Sequence, residues 1–246
     1  MNFFINSIKP LFVAGLLLTQ LAWAFNASAI PVVTSGAWVD TQQNDGAVAN
    51  INGVGTNDVS WGDPFGASTA GPSAYIFDGV NPGDAPLDNT LFPLGDFTHE
   101  NFTISLPSIS GANLDVNLNF TGENVTQDFG FFFQHIETPN NADPCAEGGG
   151  IPCQDRVLIP DASSSETVTL GGVQYLLNVE GFSQDGGVTI IPDFLTAEGQ
   201  PNTATLFARL VPVQLPPVTT VSEPTALALL AIGLVGLWGS SRRKIR

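Results

Sequence analysis

The residues best placed to do chemistry in this chain are Thr98, His99 and Asn101, which lie close together in residues 94–104. A histidine there can hydrogen-bond a carbonyl or carboxylate and so fix the local backbone, which is the interpretation we favour. It can also contact a ligand or a metal ion, with His135 as a second imidazole. A separation of 36 residues does not say whether the two rings meet, so the alternative stays open.

Calcium is the one metal ion that the composition suggests. Oxygen donors of the kind that hard cations prefer occur in several turns. They are Asn44, Asp45, Asn57, Asp58, Asp84, Asp88, Asn141 and Asp143. No segment fits the twelve-residue EF-hand loop, and turns are rich in Asp and Asn for backbone reasons. We therefore predict no cofactor and no metal site, with bound calcium as the alternative.

Enzyme signatures are missing from the sequence. It contains no Gly-x-Ser-x-Gly elbow, no His-Glu-x-x-His helix and no phosphate-binding loop. A carboxylate pair for sugar hydrolysis is defined by its separation in space, which the sequence does not give. We expect no enzymatic activity and assign no catalytic residue.

Two cysteines, Cys145 and Cys153, lie in a loop rich in glycine and proline. No second cysteine pair or histidine cluster accompanies them, which disfavours a zinc site. An exported protein can keep a disulfide, and we predict one between these two residues. Closing so short a loop stiffens it only modestly.

Alternating apolar and polar residues predict that the body, residues 30–211, is all-β. Leu114–Phe120 reads as a strand with one buried face, and Gly171-Gly172 joins two strand-like runs as a hairpin. Further strands are predicted at 36–40, 59–61, 74–77, 101–106, 128–137, 156–159, 188–191 and 203–211. Many short strands with turn residues between them indicate a single-domain β-sandwich or jelly roll. A proline-rich linker, residues 212–221, follows.

The charge of the body excludes some partners. Five of the seven basic residues and one of the 23 acidic residues lie in the two ends of the chain. The body therefore has two basic and 22 acidic side chains, a net charge of −20. Such a charge disfavours nucleic acid and anionic membrane surfaces. It suits a solvated acidic surface and an attraction for divalent cations.

Both ends have the composition of targeting segments. Lys9 precedes an apolar run, Leu11–Leu18, and small-x-small patterns end at Ala24 and Ala29. This predicts a signal peptide, residues 1–24, with cleavage after residue 24 or 29. At the other end, residues 225–241 form an uncharged apolar run that predicts a transmembrane helix at the short end of the usual range. The cations Arg242, Arg243, Lys244 and Arg246 would hold its tip in the cytoplasm.

The C-terminal segment, residues 222–246, resembles the PEP-CTERM sorting domain of Gram-negative bacteria. Ser222, Glu223 and Pro224 precede the apolar helix and the basic tip in the family's order, with Ser222 in place of its first proline. The resemblance implies that an exosortase, a membrane-embedded processing enzyme, cuts near this motif. Residues 94–104 also resemble the motif of the THxN family of PEP-CTERM proteins, which adds no biochemical role. A plain membrane anchor is the alternative.

Taken together, these features predict a non-catalytic protein that is exported, held briefly in the inner membrane and then processed to the cell surface or the outside. The family resemblance implies a surface or extracellular-matrix role beside exopolysaccharide or biofilm. One alternative is a carbohydrate-binding module with an exposed aromatic row, drawn from Trp38, Trp61, Tyr75 and Tyr175. The other is a glycoside hydrolase or lyase with two carboxylates facing each other in a cleft.

Overall fold

The computed structural model describes residues 29–43, 48, 50–65 and 71–213. The predicted signal peptide, the sorting motif at 222–224, the apolar segment 225–241 and the basic tip lie outside these residues. So does the linker, apart from its first two residues. No helix in the described ranges is long and apolar enough to cross a membrane.

The described part of the chain folds into twelve β-strands. In chain order they are β1 (Ala29–Gln43), β2 (Asp58–Trp61), β3 (Ser73–Gly79), β4 (Gly83–Pro86), β5 (Phe92–Asn101), β6 (Ile109–Phe120), β7 (Val125–Ile136), β8 (Asp155–Leu158), β9 (Ser163–Leu170), β10 (Val173–Ser183), β11 (Asp193–Thr196) and β12 (Gln200–Pro212).

The described residues form two six-stranded antiparallel sheets, which confirms the predicted all-β class and is consistent with the predicted sandwich. Sheet A has the order β11-β8-β7-β6-β1-β4, and sheet B has the order β2-β3-β5-β12-β10-β9. The inward faces of both sheets form one hydrophobic core. Aromatic rings fill much of it, and Trp38, Phe97 and Phe133 contact one another near its centre. Burial of so much apolar area is the main force that holds the sheets together.

Local sequence explains the clearest strands. In β6, Leu114, Val116, Leu118 and Phe120 are fully buried, and the polar residues between them face outward. This is the period of two that a half-buried strand requires. Between β9 and β10, Gly171 and Gly172 have φ values of 55° and 82°. Only glycine adopts such values at little cost, and a two-residue hairpin turn needs them.

Two strand predictions are wrong, and one strand is missed. The short strand β4 (Gly83–Pro86), which pairs with the start of β1, is not predicted from the sequence. The predicted strand at 101–106 is the end of β5 followed by an irregular segment with one isolated bridge, so His99 lies inside a strand. Residues 188–190 form a loop in which Val188 is 85% exposed, Ile191 makes only an isolated bridge to Phe182, and the strand follows at β11.

The disulfide prediction is confirmed. Cys145 and Cys153 are joined in the loop between β7 and β8. The backbone N–H of Cys153 also donates to the carbonyl of Asn140, at 3.2 Å. Together these links close the loop that carries the chain from β7 into β8, and they hold the two residues that flank it, Glu137 and Asp155, near each other in space.

Candidate functional site

A group of buried polar side chains lies between the two sheets at one end of the sandwich. We call it the inter-sheet polar cluster; its members are Tyr75, His99, His135, Asp155 and Thr196. All five are at most 3% exposed. Polar side chains so deeply buried need hydrogen bonds to offset the loss of contact with water. Their hydrogen-bond partners therefore show how the cluster is stabilised and which of its atoms lack a partner.

Strand pairing positions these side chains. In sheet B, Tyr75 on β3 is the register partner of His99 on β5. In sheet A, Asp155, the first residue of β8, is the register partner of Thr196, the last residue of β11. His135 is the next-to-last residue of β7, the strand on the other side of β8. The cluster therefore combines neighbours in each sheet with contacts across the core.

Three hydrogen bonds made by the cluster and the neighbouring Asn101 cross from one sheet to the other. The Tyr75 hydroxyl lies 2.5 Å from Nδ1 of His135. Nδ1 of His99 lies 2.9 Å from the Thr196 hydroxyl, and the Asn101 side-chain amide donates to the Thr196 carbonyl at 3.0 Å. Buried hydrogen bonds of this kind fix how the two sheets face each other. If the sheets shifted, each polar group would be left without a hydrogen-bond partner in an interior that contains no water to replace it.

His99 is held as a neutral imidazole. Burial, followed by the neighbouring His135, keeps the pKa of His99 well below its ordinary value. Nδ1 of His99 lies 2.9 Å from the Thr196 hydroxyl, which also lies 3.4 Å from the carbonyl oxygen of Asp155. Nε2 of His99 is buried and has no hydrogen-bond partner among the described residues.

Two carboxylates approach the cluster from the loop side of sheet A. Oε2 of Glu137 lies 3.2 Å from Nε2 of His135. Oδ1 of Asp155 accepts the backbone N–H of Thr138 at 2.7 Å. Burial and the nearby charge of Glu137 raise the pKa of Asp155 to about 7, against the opposing effects of His135 and the Thr138 N–H. At neutral pH this carboxyl is therefore close to its midpoint.

A third carboxylate adds to the negative charge. Glu198 accepts the Thr103 hydroxyl at 2.7 Å. Burial raises the pKa of Glu198, and so does the charge of Glu137. The two arginines of the body lie elsewhere: Arg156 pairs with Glu147 and Asp193, and Arg209 pairs with Glu180. Neither arginine in the described residues therefore forms an ion pair with the acids of the cluster.

The cluster borders a cleft open to solvent. Glu137, Thr138 and Pro139 line a cleft of about 410 Å³ on one side, together with Ser108 and Pro107. The same three residues line an adjoining cleft of about 520 Å³ on the other side. The Glu137 side chain is 16% exposed, whereas the His135 side chain is fully buried behind it. Glu137 thus forms the boundary between the buried cluster and water.

The structure brings together some of the predicted site residues and separates others. His99 and His135 do meet, with ring centroids 5.2 Å apart. His99 and Asn101 both contact Thr196, but Thr98 bonds Thr203 on the neighbouring strand at 2.8 Å and takes no part in the cluster. Of the proposed calcium ligands, Asn44 and Asp45 lie outside the described residues.

The predicted aromatic row is wrong for the residues that were named. Trp38, Trp61 and Tyr75 are fully buried, and Tyr175 is only 6% exposed. Trp61 stacks on His99 at 5.9 Å and donates its N–H to Ser108 at 3.0 Å. These rings form the wall of the polar cluster and the core, so they present no face on which a sugar can stack.

Sequence reasoning missed Glu137, Asp155 and Thr196. One signal was available for Glu137. It follows His135 by two residues at the end of a strand-like run, and residues two apart on a strand share a face. Asp155 and Thr196 carry no such signal, because they reach the cluster through pairings between strands distant in sequence.

A scan against models of known protein families gave no match, and a search of curated protein sequences gave none either.

Proposed function

We propose that this protein is an exported, non-catalytic surface or extracellular-matrix protein of a Gram-negative bacterium, processed by an exosortase. The observation that carries the proposal is the order of three unlike features in residues 222–246: the motif Ser222, Glu223 and Pro224, an uncharged apolar run, and a basic tip. The signal peptide at 1–24 belongs to the same proposal, and so does the transmembrane helix at 225–241.

Features of the body support this role. A disulfide persists in oxidising compartments and is rare where thiols are kept reduced, so the bond between Cys145 and Cys153 favours a place outside the cytoplasm. A net charge of −20 favours solubility there. An all-β body of the sandwich or jelly-roll kind, whose last strand ends at Pro212, the first residue of the proline-rich linker, suits a folded unit that is separated from its sorting segment.

The association with exopolysaccharide is the least direct part of the proposal and rests on the family resemblance. Because the four aromatic residues named for sugar stacking are buried, we propose contact through polar surfaces and do not favour a dedicated carbohydrate-binding platform. Retention of the purified body on the producing strain's own polysaccharide tests this point. Elution in the void volume contradicts it.

Processing is tested in the producing bacterium. We expect the mature protein outside the cell to end near residue 224, and to stay in the inner membrane with its C-terminus intact when the exosortase is deleted. Mass spectrometry of the C-terminal peptide gives the cleavage site. The variant Glu223→Gln should block processing, whereas Thr219→Ala, a few residues upstream, should not. Recovery of mature extracellular protein that still ends in Arg246 contradicts the proposal.

A further inference from the structure

The inter-sheet polar cluster contains a set of atoms with the geometry of metal ligands. A ring nitrogen of His135 and one carboxylate oxygen each of Glu137 and Asp155 lie within 4.8 Å of one another. One of these separations, from His135 Nε2 to Glu137 Oε2, is 3.2 Å. Bonds of about 2.0–2.2 Å to one tetrahedral ion place its ligands roughly 3.3–3.6 Å apart. Because no separation exceeds 4.8 Å, a contraction of at most about 1.5 Å at the widest pair completes the arrangement.

A second observation points to an absent ligand. Asp155 is fully buried, and its Oδ1 is held by the Thr138 N–H, but Oδ2 has no hydrogen-bond partner in the described part of the chain. A buried carboxylate oxygen without a partner is costly. The Thr138 N–H fixes the orientation of the carboxylate, and the Tyr75 hydroxyl fixes the His135 ring. Metal ligands are commonly oriented by such neighbours.

The charge balance favours a cation in the same place. The carboxylates of Glu137 and Asp155 lie beside the imidazoles of His135 and His99. Glu198 is a third acid close to them. The arginines of the body pair with other acids. A divalent ion would neutralise the two carboxylates.

We infer that His135, Glu137 and Asp155 form a binding site for a divalent transition-metal ion of the Zn²⁺ type. The imidazole nitrogen decides the class, since Ca²⁺ and Mg²⁺ take oxygen ligands and imidazole suits Zn²⁺ and its neighbours. Three protein ligands leave a coordination position for water, which the cleft beside Glu137 can supply. This inference stands independently of export and processing, because it rests on the body alone.

Binding also predicts a change of tautomer. In the structure, His135 Nδ1 faces the Tyr75 hydroxyl and Nε2 faces Glu137, so a neutral ring that donates to the carboxylate carries its proton on Nε2. Coordination through Nε2 moves that proton to Nδ1, where the Tyr75 oxygen accepts it. The chain has only two histidines, so the nitrogen NMR resonances of the His135 ring can be assigned directly.

The test uses the full chain, purified in detergent micelles and stripped with a chelator. Titration with ZnCl₂ in a calorimeter should show one ion per chain, with Ca²⁺ bound much more weakly. The variant Glu137→Gln should weaken Zn²⁺ binding by at least about 100-fold, since even residues that only orient a ligand account for about 10–100-fold. The matched control is Glu147→Gln, whose side chain has the same 16% exposure but pairs with Arg156, and it should bind as the parent does.

Nitrogen NMR of the unsubstituted chain gives a second readout that does not depend on a variant folding. Zn²⁺ should shift the His135 Nε2 resonance and leave the proton on Nδ1. Equal Zn²⁺ affinity in Glu137→Gln and the parent would overturn the inference. So would Ca²⁺ binding as tight as that of Zn²⁺, or His135 nitrogen resonances that do not respond to the metal.

Discussion

The Tyr75 hydroxyl and Nδ1 of His135 lie 2.5 Å apart, so a buried hydrogen bond joins the two sheets of the sandwich. Burial, together with the charges of Asp155 and Glu137, raises the pKa of Tyr75 well above its ordinary value, so the phenol keeps its proton. The Tyr75 phenol therefore enters this bond in its neutral form, and the bond spans the core between β3 of one sheet and β7 of the other.

Replacement of Tyr75 by phenylalanine should lower the free energy of unfolding by about 1–3 kcal/mol. The ring is kept, but His135 Nδ1 loses its partner in a dry interior. Urea denaturation measures the change. Tyr175→Phe is the control: its ring is also buried, but its hydroxyl has no hydrogen-bond partner in the described residues, so it should change stability by less than about 0.5 kcal/mol. Equal losses in the two variants would contradict a specific role for the bond.

Asn101 and Thr98, three residues apart in the same motif, should differ sharply in their effect on stability. Asn101 is 1% exposed and donates to the Thr196 carbonyl across the core, so Asn101→Ala should cost about 1–3 kcal/mol. Thr98 bonds Thr203 on the outer face of sheet B, and Thr98→Ala should cost about 0.5 kcal/mol or less. Thermal unfolding of both variants measures the two losses of stability. A larger loss at Thr98 would show that the motif is held by its outer face.

A pH-dependent effect is expected on the outer face of sheet A, far from the polar cluster. Partial burial, Asp128 on β7 and Glu166 on β9 raise the pKa of Asp115 on β6. A carboxyl with a raised pKa in the folded state binds its proton more tightly there than in the unfolded chain. Its charged form therefore destabilises the fold, and the effect grows as pH rises through the folded pKa.

Replacement of Asp115 by asparagine should accordingly stabilise the protein at pH 7 by a few tenths of a kcal/mol, the scale for a mostly exposed charge. At pH 3, where the carboxyl is protonated in both states, the gain should vanish. Unfolding curves at the two pH values measure it, and 1 M salt at pH 7 should reduce it by screening. A gain that is the same at both pH values would indicate a packing effect.

Gly79 lies where the backbones of the two sheets come close together. A Cβ at this position would lie 2.0 Å from the backbone carbonyl oxygen of Thr34, and Thr34 also bonds the backbone of Val80. Gly79→Ala should therefore cost at least about 2–3 kcal/mol, since strands β1 and β3 must separate. Gly150→Ala, where a Cβ meets open space, is the control and should cost less than about 0.5 kcal/mol. Calorimetric melting temperatures compare them.

The sequence predicts the interior of long strands well and their ends poorly. Alternation identifies β6 because Leu114, Val116 and Leu118 fill one face, and the paired glycines at 171 and 172 identify the hairpin. Edge strands such as β4 are not predicted from the sequence. Gly83–Pro86 shows no alternation of apolar and polar residues, and it forms a strand because it pairs with β1. Val188 shows the reverse error, since an apolar run in a loop carries the same signal as a strand.

Part of the candidate site can be predicted from the sequence. The sequence indicates His99 as a candidate site residue, with His135 as a possible second imidazole, and the structure places the two rings in contact. It did not identify Asp155, because that residue reaches His135 only through the pairing of β8 between β7 and β11. Thr196 lies 97 residues from the His99 that it bonds. Such contacts follow from topology, which local pattern does not encode.

The position of β12 has a consequence for the order in which the molecule can assemble. This strand is the last of the twelve, yet it lies in the middle of sheet B, between β5 and β10. Until residue 212 is free to pair, the two halves of that sheet have no common neighbour, and the core has no complete wall. A chain that emerges from its N-terminus therefore cannot complete sheet B, or close the core against it, before its final strand arrives.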